Sequence, residues 1–301
     1  MNQQHRRAAV ILNPIKVPDP VEFRRTVDEA LTSRGFDDSL WLETTEDDAG
    51  HTMAKRAIEE TVDLVVVAGG DGTVRVVCAE LARSGIPVAV LPAGTGNLLA
   101  RNLGVPLGLD AALKGLLDGT ERRIDSVQVE GDHLALDRFV VMAGLGLDAA
   151  IIADAPDQLK KHVGWAAYVV SALKNLNHPF VLVEIIIDDK PSLIRRARTV
   201  VIGNVGTLEA NIPLLPDARP DDGLIDAVVL APRRLAHWPR LALSLVLKSV
   251  QEGRHIERYT GKRIQVTAAR VVRRELDGDT IEDGRTLSAA VDPEALLVRV
   301  P

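Results

Sequence analysis

The chain has 301 residues, a formal net charge of −6 and a hydrophobic content of 46%, which are ordinary values for a globular protein of about two domains. The acidic balance excludes general affinity for nucleic acid, and a single cysteine, Cys78, excludes an intrachain disulfide and a cysteine-based metal cluster. No segment approaches the ~18 consecutive apolar residues of a membrane-spanning helix, and no signal-peptide core is present, so we expect a cytoplasmic protein.

The first 125 residues alternate strand-like and helix-like stretches. Apolar, β-branched runs predict strands at residues 8–12, 39–42, 62–67 and 86–91. Amphipathic stretches predict helices at residues 21–34, 49–60, 98–103 and 107–118. This alternation is typical of a parallel α/β domain, which we place at residues 1–125.

A glycine-rich loop follows the third predicted strand, where residues 68–74 read AGGDGTV. Its three glycines lack Cβ atoms, so the backbone N–H groups can approach a polyphosphate. We predict that the threonine caps a helix beginning near Val74, whose N-terminus also favours an anion. The carboxylate indicates a bridging cation or a proton acceptor, whereas a plain strand-to-helix turn is the structural alternative. The nucleotide-binding candidates are Gly69, Gly70, Asp71, Gly72 and Thr73.

A second loop of the same kind, PAGTGN at residues 92–97, follows the next predicted strand. Neighbouring strands of a parallel sheet end at the same edge, so both loops can hold one ligand. The threonine can donate to a phosphate oxygen, and capping of the following helix is the favoured role of the asparagine. The candidates in this loop are Gly94, Thr95, Gly96 and Asn97.

The second half of the chain is richer in strands, which predicts an antiparallel sandwich-like or barrel-like domain. We predict strands at residues 126–129, 133–142, 180–188, 195–203, 224–230, 263–267 and 271–276. Two basic amphipathic stretches, 158–176 and 233–250, are candidate membrane or substrate surfaces, and helices packed on a sheet are the commoner alternative.

The order GGDGT, then PAGTGN, resembles the diacylglycerol kinase-like lipid kinases, and the resemblance covers nearly the whole chain. Asn13-Pro14 resembles the first nucleotide-binding turn of that family. Residues 216–226, PDARPDDGLID, are similar to its second-domain signature, and residues 276–279, LDGD, stand where the family has Asp-Gly-Glu.

The resemblance implies an N-terminal parallel α/β nucleotide-binding domain and a C-terminal antiparallel β-sandwich-like domain at residues 126–301, with the active site in the cleft between them. It also implies that the last strand, near residues 295–300, returns to the first domain. The implied activity is ATP- and Mg²⁺-dependent phosphorylation of a hydroxyl of diacylglycerol or a related lipid, giving a phospholipid such as phosphatidate. We expect a lipid substrate, transient peripheral contact with a membrane surface, no nucleic-acid partner and, as an open alternative, a homodimer.

The resemblance also suggests roles for single residues. Asp279 occupies the position of the family's catalytic glutamate, with Asp277 orienting it, while Asp71 is the competing base and a plain hairpin turn the structural alternative. Asn13 and Thr45 match nucleotide contacts, although Thr44 is an equally good register. The implied Mg²⁺ ligands are Asp222 and the carbonyls of Arg219 and Leu224, with an acidic turn as the structural alternative.

Three departures keep other functions open. Val76 and Leu98 stand where many members of the family have acidic residues, and Asp279 is one methylene shorter than the family's glutamate. One alternative is therefore a nucleotide-binding regulator that has lost catalysis. Independently of these departures, a kinase of a different acceptor, such as a sphingoid base or NAD, is a further alternative. NAD kinases share GGDG-type loops, but the PAGTGN loop and the DDGLID segment disfavour an NAD kinase.

Overall fold

In the computed structural model the chain forms two compact units, Met1–Ser126 with Pro293–Pro301, and Val127–Asp292. The structure describes residues 6–146, 180–208, 213–231 and 256–301. The helices predicted at 158–176 and 233–250 lie outside the described residues. Within the described residues, no helix combines the length and the apolar character needed to cross a membrane.

The first unit is built on a parallel sheet, which confirms the predicted fold class of this part of the chain. Its strands are β1 (Ala8–Leu12), β2 (Leu40–Glu43), β3 (Leu64–Gly69) and β4 (Val88–Pro92). They lie in the order β4-β3-β1-β2, and every adjacent pair is parallel. All residues of β1 and β3 are buried, as expected for strands covered on both faces.

Three α-helices connect these strands: α1 (Pro20–Thr32), α2 (His51–Glu59) and α3 (Asp71–Leu81). Two more follow β4: α4 (Leu98–Asn102) and α5 (Leu109–Asp118). The prediction that Thr73 caps a helix beginning near Val74 is wrong, because α3 already begins at Asp71 with Gly70 as its N-cap. Thr73 instead lies buried in the first helical turn, where a Cβ atom on Gly69 would come within 2.7 Å of its Cβ. The absence of that Cβ atom allows the strand to turn directly into the helix.

The second unit is a set of antiparallel strands with a continuous apolar core, which confirms the predicted sandwich-like class. Its strands are β5 (Thr120–Gly131), β6 (Leu134–Phe139), β7 (Met142–Leu145), β8 (Val181–Ile187), β9 (Leu193–Ala197), β10 (Thr199–Gly203), β11 (Ile225–Leu230), β12 (Ile256–Gly261), β13 (Arg263–Leu276) and β14 (Asp279–Val300). Strand β5 begins in the first unit and ends in the second, and the last residues of β14 belong to the first unit. There Val298 pairs with Val88 of β4 in parallel.

Several strand boundaries differ from the predictions. The strand predicted at 133–142 is two strands, because the N–H groups of Val140 and Val141 donate to the Asp277 carboxylate. The strand predicted at 195–203 is also two, divided at Arg198, whose N–H donates to the carbonyl of Leu230. Strand β12 was not predicted.

Strand β13 is continuous where two strands were predicted, but a bulge interrupts its register with β14 between Thr267 and Arg274. Before the bulge β13 pairs with β8, and after it β13 pairs with β7. The sheet therefore divides at this point, with β7 and β8 leaving β13 in different places.

Candidate functional site

The two glycine loops of the first unit lie in direct contact. A Cβ atom placed on Gly94 would stand 2.8 Å from the Cα atom of Gly70, closer than real side chains approach. Gly70 itself has room, since a Cβ atom there would meet only the Lys16 side chain, at 3.7 Å. Backbone N–H groups of both loops can therefore face one ligand at the carboxyl ends of β3 and β4.

The Asp71 carboxylate fastens the second loop to the first. Its oxygens accept hydrogen bonds from the backbone N–H groups of Asn97, at 3.0 Å, and Leu98, at 2.7 Å. It therefore caps the N-terminus of α4 while it lies in the first turn of α3. Both of its oxygens already accept hydrogen bonds, which makes it less suited to take a proton from a substrate.

Asn97 stands at the N-cap position of α4, as predicted, but its side chain does not cap the helix. Its backbone is left-handed, with φ of 49°, and its side-chain amide accepts from the N–H and donates to the carbonyl of Gly94, both at 2.8 Å. Arg101 adds a third tie by donating from Nε to the carbonyl of Gly96 at 2.8 Å. The second loop is thus fixed before any ligand arrives, while Thr95 stays exposed.

Asn13, at the end of β1, joins the same loop cluster. Its N–H donates to the carbonyl of Ala68 at 2.8 Å, and its side-chain amide lies 3.4 Å from the hydroxyl of Thr73. The turn Pro14–Lys16 that follows places the exposed Lys16 over Gly70. Lys16 was missed in the sequence analysis, although it is the only cation in that turn, and it adds positive charge beside the glycine loops.

The two threonines after β2 have different environments. Thr44 is buried, and its N–H donates to the carbonyl of Leu12 at 2.9 Å. Thr45 is exposed and accepts through its hydroxyl from the N–H of Asp48 at 3.1 Å. The Asp48 carboxylate caps α2. The hydrogen bond from the Thr52 hydroxyl, together with those from backbone N–H groups, lowers the pKa of Asp48 to about 2. Thr45 is the better exposed of the two for a nucleotide contact, and that role stays a prediction.

In the second unit, Asp277 and Gly278 form a two-residue hairpin turn between β13 and β14, with φ of 48° and 91°. Positive φ at both positions is the geometry of a type I′ turn, for which Asp-Gly is favoured. The buried Asp277 carboxylate accepts from the N–H groups of Val140, Val141 and Met142 at 2.8–2.9 Å. These bonds fix the turn, so that the exposed Asp279 projects from a rigid base.

Glu275 is a buried carboxyl beside this turn that the sequence analysis missed. It is 3% exposed and lies against Gly144, where a Cβ atom would come within 2.7 Å of its Oε1. Burial, followed by the charges of Asp277 and Asp279, raises the pKa of Glu275 to about 7. Its sign in the sequence was a single acidic residue in β13, a strand whose other charged residues are all arginines.

The turn carrying the predicted Mg²⁺ ligands lies before β11. Asp222 is exposed, and its Oδ1 accepts from the N–H of Leu224 at 3.0 Å, with Gly223 at φ of 71°. This is the acidic turn that the sequence also allowed, and Arg219 precedes it in the same segment.

The surroundings of this turn are acidic. Burial, with further repulsion from Asp222 and Asp217, raises the pKa of Asp226. One or two carboxylates with backbone carbonyls are a donor set that Mg²⁺ accepts, so the residues present fit the ion. The described residues contain no cluster of three or more His, Cys, Asp or Glu side chains that would form a complete protein cage.

The predicted site residues therefore form two groups. Within the first unit the structure brings together those of the β1, β3 and β4 ends, namely Asn13, Gly69, Gly70, Asp71, Gly72, Thr73, Gly94, Thr95, Gly96 and Asn97. Within the second unit, Asp277 and Asp279 share a hairpin, and Asp222 lies in a separate turn.

Two family models match the chain. Residues 7–129 match the diacylglycerol kinase catalytic domain, and residues 140–300 match the YegS C-terminal NAD kinase beta sandwich-like domain. Among curated relatives, a diacylglycerol kinase of Bacillus subtilis is 30% identical over 91% of this chain and 90% of its own length. A Pseudomonas aeruginosa protein named "Probable lipid kinase YegS-like" is 32% identical over 86% of this chain and 83% of its own.

Solved structures agree on the fold. A diacylglycerol kinase from Bacillus anthracis superposes with a TM-score of 0.74 at 21% identity, covering 99% of this chain and 98% of that one. An NAD kinase from Archaeoglobus fulgidus, solved with ATP, is more distant, with a TM-score of 0.52 at 14% identity over 97% of this chain and 93% of that one. At these identities the likeness concerns the fold alone.

Proposed function

This chain belongs to the diacylglycerol kinase catalytic-domain family, and on that premise we propose that it transfers a phosphoryl group from ATP to a hydroxyl of diacylglycerol or a related lipid. The product would be a phospholipid such as phosphatidate. The observation that supports the proposal is the contact between the two glycine loops, which would allow backbone N–H groups of both loops to bind one polyphosphate.

The residues of the first unit would bind and orient the nucleotide. Backbone N–H groups of residues 71–73, in the first turn of α3, and of residues 95 and 96 would donate to phosphate oxygens, while those of Gly94 and Asn97 are taken up by the ties within the loops. The exposed hydroxyl of Thr95 adds a further donor. Lys16 brings a positive charge to the same loop, where it offsets the charge of the phosphates. The ties from Asp71 and Asn97 hold these donors in place, so little ordering is left for binding.

We assign the base to Asp279. Its carboxylate is exposed on a hairpin that the buried Asp277 holds rigid, whereas both oxygens of Asp71 accept from the amides of α4. Asp279 would accept the proton of the lipid hydroxyl as the new bond to phosphorus forms. Mg²⁺ supplies positive charge when bound, and Asp222 with the carbonyls of Arg219 and Leu224 would hold a supporting ion in the second unit.

A lipid acceptor also requires that the protein meets a membrane at some stage of its cycle. We propose a cytoplasmic protein that associates peripherally and transiently with the membrane surface. A homodimer remains compatible with this arrangement.

A second candidate is a nucleotide-binding regulator without catalysis. One feature of the sequence supports it: Val76 in α3 and Leu98 in α4 stand where many members of the family have acidic residues, so neither position offers a carboxylate. A kinase of another acceptor, a sphingoid base or NAD, is a third candidate.

Phosphate transfer into lipid tests all three. Purified protein would be incubated with radiolabelled ATP, Mg²⁺ and micelles containing diacylglycerol or sphingosine, or with NAD in solution. We expect label in a chloroform-soluble product, abolished by Asp279→Asn but not by Asp189→Asn, a matched exposed carboxylate in the β8–β9 turn. Label in NAD alone or in sphingosine alone would show that this compound, and not diacylglycerol, is the acceptor. ATP binding without transfer to any acceptor would favour the regulator.

Asp71→Asn separates the two candidate bases. Asparagine keeps only one of the two acceptor oxygens, so one hydrogen bond to the start of α4 is lost, which should lower the melting temperature and weaken ATP binding because the second loop is less firmly anchored. Asp279→Asn should leave both unchanged while it removes transfer. If Asp71→Asn removed transfer at unchanged stability and ATP affinity, the assignment of the base to Asp279 would be wrong.

A further inference from the structure

The first unit exposes three large apolar side chains, and all three lie at one edge of its sheet. Val21 is 81% exposed, Ile15 is 79% exposed and Leu107 is 47% exposed. Single exposed apolar residues are normal on protein surfaces, so their number alone carries no argument. Their placement does, because no other large apolar side chain is exposed among the described residues of this unit.

The topology of the first unit brings the three residues to the same edge. Ile15 lies in the turn that follows the carboxyl end of β1, Val21 lies in the first turn of α1, and Leu107 lies two residues before α5. Helices α1 and α5 pack side by side, and Arg34, just after α1, donates to the carboxylate of Asp118 at the end of α5 at 2.6 Å. The two helices therefore run in the same direction, and both begin at the edge that carries the glycine loops. We call the surface formed by Ile15, Val21 and Leu107 the apolar rim.

Packing within the first unit does not account for the apolar rim. The buried residues of α1 are Phe23, Val27 and Leu31, which share one face of the helix. At 3.6 residues per turn, Val21 points about 160° away from Phe23, on the side of the helix that faces solvent. A valine at such a position has no core to enter, so its apolar surface is available to a partner.

The charges around the apolar rim balance each other. Residues 13–25 and 104–110 together carry three positive and three negative side chains. The carboxylates nearest to Val21 in sequence are also engaged, because that of Asp19 accepts from the N–H of Glu22 at 3.0 Å and that of Glu22 pairs with Arg25 at 2.6 Å. A surface without net charge but with projecting aliphatic groups fits the interface of a zwitterionic lipid layer, where burial of apolar area supplies the binding energy.

We propose that the apolar rim enters the surface of a phospholipid membrane and thereby brings the glycine loops to the acceptor lipid. This inference deepens the proposed lipid kinase function and rests on it for the identity of the partner. A diacylglycerol keeps its hydrocarbon chains in the membrane and presents its hydroxyl at the surface, so the loops that hold ATP must approach that surface. Three aliphatic side chains give a weak and reversible attachment, which suits an enzyme that returns to the solution.

The first test compares two triple variants of the full-length protein. Ile15→Ser, Val21→Ser and Leu107→Ser together remove the apolar rim. The matched control replaces three exposed apolar side chains of the second unit, by Leu136→Ser, Leu182→Ser and Ile194→Ser. Cosedimentation without ATP is measured with phosphatidylcholine vesicles that contain diacylglycerol, at low and at high salt, and melting curves show that both variants are folded.

We expect vesicle binding to fall roughly 10- to 30-fold in the rim variant and by about twofold or less in the control. Binding of the wild type should persist in ~1 M salt, because burial of apolar surface is not screened by ions. Equal losses in the two variants, or no binding by the wild type, would overturn the proposal. Binding by the wild type that disappeared at high salt would also overturn it, since the contact would then depend on charged groups.

A fluorescent label tests the apolar rim without removing it. The native Cys78 is fully buried, so a cysteine introduced by Val21→Cys can be labelled selectively with a dye that responds to polarity. Its emission should shift to the blue when vesicles are added, whereas the same dye on Leu136→Cys should not respond. A shift at Leu136 alone, or at neither position, would contradict insertion of the apolar rim.

Two substrates separate this proposal from the proposed function. On dihexanoylglycerol dispersed in water, the rim variant should transfer phosphate at the wild-type rate, while on long-chain diacylglycerol in vesicles its rate should fall in proportion to its binding. Equal rates of the wild type and the rim variant on vesicles would refute the apolar rim and leave the kinase in place. Transfer to neither substrate by the wild type would contradict the proposed function, and the vesicle binding of the two triple variants would still decide whether the apolar rim meets the membrane.

Discussion

Replacing Gly94 with alanine would place a methyl group between the two glycine loops of the first unit. The new Cβ atom would stand 2.8 Å from the Cα atom of Gly70 and 3.2 Å from Oδ1 of Asn97. Carbon atoms in contact are normally ~3.5–4.0 Å apart, so the loops must separate by roughly 0.7 Å or more. The hydrogen bonds of Asp71 to the start of α4 oppose that separation, because they join the same two segments.

The expected cost follows from this geometry. Overpacking of this kind destabilises by about 1–3 kcal/mol, which corresponds to a fall in melting temperature of roughly 2–10 °C for a chain of this size. The effect on function should be larger, because displacement of reacting groups by about 1 Å can reduce the rate about a hundredfold. ATP affinity should fall as well, since the donors of the two loops no longer converge.

Calorimetric melting, ATP titration and the lipid phosphorylation assay would measure these effects. Gly108→Ala is the matched control, because a Cβ atom there meets nothing within 4 Å and the backbone φ is −80°. It should cost less than about 1 kcal/mol, as expected for an N-cap glycine, and leave ATP affinity unchanged. If Gly94→Ala bound ATP and turned over like the control, the loops would not act together as a phosphate site.

Four further predictions follow from single contacts. Gly70→Ala should melt like the wild type but bind ATP more weakly, because its methyl group has room and yet covers the loop. Lys16→Gln should weaken ATP binding roughly tenfold without affecting melting, since it removes a charge beside the phosphates. Asp277→Ala should cost at least about 3 kcal/mol in urea unfolding, because the amides of residues 140–142 lose their acceptor. Glu275 has a raised folded-state pKa, so its ionisation should lower wild-type stability by about 3 kcal/mol as pH rises from 4.5 to 7, and Glu275→Gln should remove this contribution.

Each of the last three has a control in an exposed residue of the same type. Lys114→Gln should leave ATP affinity unchanged, Asp189→Ala should leave urea unfolding unchanged, and Glu282→Gln should keep the wild-type dependence of stability on pH. Equal ATP affinity in the two lysine variants would remove Lys16 from the site. A loss below about 1 kcal/mol for Asp277→Ala, or a flat pH profile in the wild type, would contradict the assigned burial. For Gly70→Ala, undiminished ATP binding would mean that no phosphate lies over this loop.

The fold class was predictable because it depends on local patterns. Buried β-branched runs such as residues 64–69 define parallel strands wherever they occur, and glycines at a strand end mark a turn that a side chain would block. The sandwich-like second unit followed in the same way from many short alternating strands. These features need no knowledge of distant contacts.

The remaining features depend on partners far away in sequence. Asp71 caps a helix that begins 27 positions later. Asp277 divides a predicted strand by accepting hydrogen bonds from Val140 and Val141, which lie 137 and 136 positions before it. The predicted capping role of Thr73 was wrong because α3 begins two residues earlier, at Asp71, with Gly70 as its N-cap. The pKa of Glu275 likewise depends on burial between strands, which no local pattern indicates.

The last strand also affects the order in which the two units can fold during synthesis. The first unit is completed by residues 293–301, where Val298 pairs with Val88 and the guanidinium group of Arg299 donates to carbonyls at the C-terminal end of α5. A ribosome therefore delivers the entire second unit before β4 gains this neighbour, and β4 stays an open edge meanwhile. The first unit is for this reason not a separable module: a fragment ending at residue 126 would lack part of its own sheet, and a chimera must carry both ends of the chain.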